Sequence, residues 1–110
     1  MSNDEWKPPV GVCNRLSAAE TEMLALIAEE AGEIVQAVGK ILRHGFDSRH
    51  PRDLNGPDNR ERLVRELGDL KAAIVIADQN NIIDAFHVQT AVQDKLARIG
   101  QYLHAVRWPK

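Results

Sequence analysis

Four acidic residues fall in two pairs of equal spacing. Glu30 and Glu33 belong to the run Glu29-Glu30-Ala31-Gly32-Glu33, and Glu66 and Asp69 to Glu66-Leu67-Gly68-Asp69. On a helix, an i, i+3 spacing puts both carboxylates of a pair on neighbouring turns of one face. Oxygen-only donors of this kind suit a hard cation, Mg²⁺ or Mn²⁺, which keeps positions free for water and for substrate phosphates. A basic i, i+3 pair, Lys95 and Arg98, follows downstream with Tyr102 nearby, and it has the charge to meet phosphate.

The elements that must carry these residues are helical. Ser17-Ala18-Ala19-Glu20 has capping-box spacing and opens an apolar-periodic run that stops at Gly45, which predicts helix one over 17–44. Gly32 and Gly39 are the two places where so long a helix would kink. Asp58 with Glu61 opens helix two, 59–79, along Leu63, Leu67, Leu70, Ile74 and Ala77. A third run from near Asp84, with Val88, Val92, Leu96, Ile99, Leu103 and Val106 on one stripe, is expected to stay helical until just before Pro109. Residues 45–58 have turn formers and no period, so they form a loop. Residues 1–16, with Pro8 and Pro9, read as an extended arm, and 17–110 as one helical domain. β-Branched residues fall at helical spacing, so no strand is expected.

At about 100° per residue, Glu30 and Glu33 lie about 80° and 140° to one side of the apolar stripe of helix one. Glu66 and Asp69 lie about 60° and 120° to the same side of the helix-two stripe. Two antiparallel helices packed stripe to stripe would therefore turn all four carboxylates into one cleft, where their mutual repulsion calls for cations or raised pKa values. Lys95 and Arg98 have a similar offset on helix three. Gly32 and Gly68, inside the acidic motifs, suggest close helix approach or room for a ligand.

Composition limits the alternatives. With 110 residues, 44% apolar and 27% charged, the chain makes one globular domain, and three helices cannot cover each other's apolar faces completely. The expected fold is an all-α antiparallel helical bundle completed by dimerisation. A net charge of −2 supplies no global field for nucleic acid or an anionic membrane, and no apolar run is long enough to span one. The lone Cys13 fits a packing role and, with the absence of an export-type start, a cytoplasmic location. No Glu-x-x-His pair of the di-iron type is present, Asp84 before His87 being the nearest approach, and no P-loop appears.

Over residues 20–104 the chain resembles the MazG-like all-α nucleoside triphosphate pyrophosphohydrolases, whose signature pairs E-E-x-x-E with E-x-x-D. Glu29-Glu30-x-x-Glu33 and Glu66-x-x-Asp69 reproduce it. The resemblance implies Mg²⁺ ligands at Glu30, Glu33, Glu66 and Asp69, with Glu29 or Glu33 orienting water. It also implies triphosphate contacts from Lys95 and Arg98, with Gln93 standing where the family often has Asn. The segment Lys40–Phe46 with Arg49, His50 and Arg52 is similar to small phage-type members, which implies Arg43 or Arg49 near phosphate, Phe46 stacked on a base, and a purine deoxynucleotide such as dGTP as substrate. The implied reaction is hydrolysis of a nucleoside or deoxynucleoside triphosphate to monophosphate and pyrophosphate, in a homodimer or dimer of dimers. Two alternatives remain: a non-catalytic helical partner-binding protein whose acids form a solvated face, and a pyrophosphohydrolase of another phosphorylated metabolite such as phosphoribosyl-ATP.

Overall fold

The computed structural model describes residues 14–108, which form three α-helices and a short 3₁₀ turn, with no strand among them. Helix α1 spans Ala18–His44, α2 Asn59–Gln79 and α3 Ala85–Arg98, and the 3₁₀ turn follows at Ile99–Tyr102. The expected arm, and Cys13 with it, falls mostly outside the described residues. Only Asn14–Leu16 of it are seen, as non-helical chain.

Each helix starts where a side chain can take up its free N–H groups. Ser17 accepts from the Glu20 amide at 3.0 Å while the Glu20 carboxylate accepts from the Ser17 amide at 2.7 Å, a complete capping box. That hydrogen bonding also lowers the Glu20 pKa. Asp58 caps α2 through the Glu61 amide, and Asp84 caps α3 through that of Phe86. Helix α1 runs without interruption through Gly32 and Gly39 and ends at Gly45, whose φ of 88° is a conformation that side chains resist.

Helices α1 and α2 pack antiparallel. Met23 meets Ala73 and Ala77 at one end, and Ala37 and Asn59 line one cleft at the other. The buried positions on α1 (Met23 and Ala37) lie fourteen residues apart, and those on α2 (Asn59, Ala73, Ala77) repeat by fourteen and four. Two coiled-coil repeats separate Met23 from Ala37 and Asn59 from Ala73, and the midpoints of those intervals are Glu30 and Glu66. The seam therefore passes through the acidic positions, and among the fully buried residues of α2 it shares only Ala77 with the apolar stripe. Leu67 and Val64 on α2, and Leu24, Val35, Val38 and Leu42 on α1, stay exposed. Alanines let the backbones approach where larger stripe residues would hold them apart.

The 14-residue connection is tied down at both ends despite its lack of period. Asn59 is buried, and its amide Nδ2 donates to the Gly45 carbonyl at 3.0 Å. The Asn59 and Arg60 backbone N–H groups donate to the Ser48 and Phe46 carbonyls, and Arg49 Nε donates to the Gly56 carbonyl.

Helix three is shorter than its stripe suggests. It gives way to the 3₁₀ turn at Ile99-Gly100, and the chain then doubles back so that Trp108 Nε1 donates to the Leu96 carbonyl at 2.8 Å. Leu96 is one of the carbonyls left without a helical partner when the helix stops, and the indole satisfies it. Leu103 and Val106 thus fall outside the stripe. Helix α3 meets α2 but makes no contact with α1. The radius of gyration, 18.9 Å, exceeds the roughly 13 Å of a compact domain of this length.

Asn59→Ala removes the link between the end of α1 and the start of α2. We expect it to lower stability by about 1–2 kcal/mol in a denaturant titration; an unchanged midpoint would show that Asn59 does not hold the loop.

Candidate metal centre and substrate cleft

Placing glutamates at seam positions has a direct electrostatic result. One carboxylate oxygen from each of Glu30, Glu33, Glu66 and Asp69 can be chosen so that all four lie within 4.8 Å of one another. Glu30, Glu33 and Glu66 are half-buried and Asp69 is exposed. Glu29 points elsewhere: it is exposed, outside this group, and reaches Glu30 only by its charge.

Oε2 of Glu30 and Oε2 of Glu66 are buried and have no hydrogen-bond donor. An ionised carboxylate only accepts, so neighbouring carboxylates cannot satisfy each other unless one keeps a proton. Burial raises the Glu30 pKa, reinforced by the charges of Glu33, Asp69 and Glu29 and a hydrogen bond with Glu33. Hydrogen bonding to Glu33, then burial, then the charges of Glu33, Asp69 and Glu30 raise that of Glu66. No cation of the protein is among the causes. Two orphaned buried oxygens within a group of four carboxylates fit a divalent cation, which would supply the missing positive charge.

A family model for the MazG nucleotide pyrophosphohydrolase domain matches residues 18–101, from the first turn of α1 into the 3₁₀ turn. The chain belongs to the MazG family. No curated protein and no solved structure gave a significant match. The all-helical architecture is that of a MazG domain, and the acidic cluster accords with the divalent-metal dependence of the family.

The remaining candidate residues of this MazG domain are spread more widely. Lys95, Arg98 and Gln93 are exposed on α3, and among the described residues neither Lys95 nor Arg98 pairs with any of the four acids. In the single chain α3 stands clear of α1, so it does not bring the basic pair to the acidic one. Phe46 has one ring face covered by Arg60, whose guanidinium carbon lies 4.5 Å from the ring centroid. Arg60 also pairs with Asp47 at 3.2 Å, so it links this end of the loop to the start of α2. Arg43 lines a cleft at the end of α1. A Cβ at Gly32 or Gly68 would meet nothing within 4 Å, so neither glycine marks close helix approach within this chain. The Asp84–His87 pair, 3.9 Å apart, belongs to the start of α3.

Lys40 and Arg62 were not among the site residues indicated by sequence, yet they line the cleft that Glu33 and Glu66 enter. Lys40 is seven residues beyond Glu33 and Arg62 four before Glu66, spacings that return to the same helix face in the direction of the loop. Antiparallel pairing with the seam at Glu30 and Glu66 brings the two together.

The upward shifts mean that the folded protein holds protons on Glu30 and Glu66 more tightly than the unfolded chain does. The stability they confer is present below the ordinary glutamate value of 4.5 and is lost as pH rises through the raised folded values. In metal-free protein this contribution makes the melting temperature fall as pH rises above the ordinary glutamate value of 4.5, and Glu66→Gln flattens that fall. Added Mg²⁺ should raise the melting temperature more at pH 7.5 than at 5.5, because protons no longer compete. A wild-type melt that ignores Mg²⁺ at both pH values would contradict the assignment.

Proposed function

We propose that this protein is a Mg²⁺-dependent pyrophosphohydrolase of nucleoside or deoxynucleoside triphosphates, releasing the monophosphate and pyrophosphate. The observation that carries this reading is the group of four carboxylates with two buried, donor-less oxygens, within a chain of the MazG family. Glu30, Glu33, Glu66 and Asp69 would hold the metal, with Mn²⁺ able to replace Mg²⁺. A divalent cation there supplies charge neutralisation for the phosphates and lowers the pKa of a bound water.

The chain's own residues supply position and charge. Glu33 borders both the acidic cluster and the cleft, which supports a role in orienting the attacking water, with the exposed Glu29 as the other candidate. Lys40 and Arg62 flank the cleft and offset charge on the phosphates. Lys95 and Arg98 take up the same role once α3 is brought over a cleft by a second copy of the chain. The exposed apolar faces, with Val35 at 71% and Leu42 at 81% exposure, support such a homodimer or dimer of dimers, as does the lack of any large, fully buried side chain among the described residues. The substrate class is a purine deoxynucleotide such as dGTP, a reading supported by the sequence of the loop. No helix among the described residues is long and apolar enough to cross a membrane, which agrees with action on a dissolved nucleotide in the cytoplasm.

Incubation with Mg²⁺ and each common NTP and dNTP, followed by phosphorus NMR, should yield monophosphate and pyrophosphate from at least one of them. Glu66→Gln should lower kcat/KM at least about a hundredfold while leaving the helical circular dichroism unchanged. Sedimentation of the active species should give a dimer or larger. Turnover confined to another phosphorylated metabolite would change the substrate class. No turnover of any kind, or full activity of Glu66→Gln, would remove the proposed mechanism.

A further inference from the structure

A basic cleft adjoins the carboxylate site and shares a wall with it. The last turns of α1 supply Lys40, Arg43 and His44, the loop supplies Arg49 and His50, and the first turn of α2 supplies Arg62, around a volume of about 280 Å³. No carboxylate lines this space. Lys40, Asn59 and Arg62 also line the neighbouring cleft, together with Glu33 and Glu66. Lys40, Asn59 and Arg62 thus border both spaces, one lined by acids as well and the other by cations.

Two of the cations, Arg49 and Arg62, are held in place, and none of the four Lys and Arg side chains is neutralised by a described residue. Among the described residues, none of Lys40, Arg43, Arg49 and Arg62 forms an ion pair. Arg49 is anchored through Nε to the Gly56 carbonyl at 3.0 Å and Arg62 through Nε to the Pro57 carbonyl at 3.4 Å, which leaves the terminal N–H groups of both forks without an acceptor among the described residues. Arg43 folds back over Gly39, with Nη1 3.6 Å from where a Cβ would stand. Location at the C-terminus of α1 accounts for a favourable field on Arg43 and His44. It does not account for Arg49 and Arg62, which the loop and the start of α2 bring to the same space. Positioned guanidinium groups with free terminal donors suit phosphate oxygens. Glu33 and Lys40 are seven residues apart, about 10 Å along the helix, a span bridged by a chain of phosphates and not by a single one.

We propose that this cleft is a polyphosphate subsite, in the same chain as the carboxylates, that holds the distal phosphates of the substrate and then the pyrophosphate product. The substrate part of this inference rests on the pyrophosphohydrolase reading above. Lys40, Arg43, Arg49 and Arg62 make the contacts, and His44 and His50 border them. The arrangement gives the site a preference for triphosphates over monophosphates, and it predicts competitive inhibition by pyrophosphate.

Inorganic pyrophosphate, titrated into metal-free protein in chelator, tests the subsite without turnover, with the ring C–H resonances of His44 and His50 as reporters. We expect saturable shifts of both, binding weakened about tenfold or more in Arg43→Gln and in Arg49→Gln, and binding retained in Glu66→Gln. Arg43 has no side-chain hydrogen-bond partner among the described residues, so its variant keeps the test valid if loss of the Arg49–Gly56 bond disturbs the loop. In steady-state assays Arg43→Gln should raise KM for the triphosphate about tenfold with a smaller change in kcat. Absence of shifts, unchanged affinity in both arginine variants, or orthophosphate binding as tightly as pyrophosphate would overturn the proposal. Pyrophosphate binding by a wild type that turns over no nucleotide would support the subsite and sink the hydrolase reading; turnover without pyrophosphate binding would do the reverse.

Discussion

The structure depends on one constraint: two glutamates occupy positions in a helix–helix seam where a stable bundle would place apolar side chains. Glu30 lies midway between Met23 and Ala37, and Glu66 midway between Asn59 and Ala73, so close packing above and below holds the carboxylates together against their repulsion. An all-apolar seam would be more stable in isolation. A seam of this kind stores an unmet demand for positive charge, visible in the donor-less Oε2 atoms and in the upward pKa shifts. In the proposed reading metal binding and folding are coupled, since the cation that would serve chemistry would also relieve the interior.

The same choice of seam explains how the rest of the chain is disposed. With the packed ridge running through acids and alanines, much of the apolar surface of both helices faces outward, and α3 rests on α2 alone. A single copy therefore has a small core, Met23 with Ala73 and Ala77 and the partly buried Leu26, Ile27, Ile82 and Ile83 around them. The functional elements are then distributed: acids in the middle of the α1–α2 pair, cations at its loop end, and a second basic pair out on α3. In the proposed reading, assembly completes both the core and the site.

Much of this was legible in sequence because it is decided locally. Ser17, Asp58 and Asp84 mark helix starts through hydrogen bonds within three residues, and Gly45 marks an end through its own backbone, so α1 and α2 match expectation closely. The convergence of Glu30, Glu33, Glu66 and Asp69 was legible from spacing alone. Its geometry was not: stripe-to-stripe packing puts the acids on the flank of the pair, whereas alanine-mediated packing puts two of them in the seam. Which ridge wins is a competition between apolar area and closeness of approach, and a helical wheel does not decide it. Asn59 escaped notice for a related reason, since its partner, the Gly45 carbonyl, lies across the loop, and the meeting of Lys40 with Arg62 in one cleft depends on which helix faces pair. The early end of α3 rests on Trp108 reaching back twelve residues to a carbonyl, which no stripe records.

Manganese binding measured by electron paramagnetic resonance tests most directly whether the four carboxylates form a metal centre. The free-ion signal, followed as protein is added, should fall saturably with wild type at neutral pH. It should persist with Glu30→Gln/Glu66→Gln at the same concentrations, in protein whose circular dichroism shows the helices intact. A double variant that takes up manganese as well as wild type does, or a wild type that takes up none, would contradict the central claim that the seam glutamates are there to hold a metal ion.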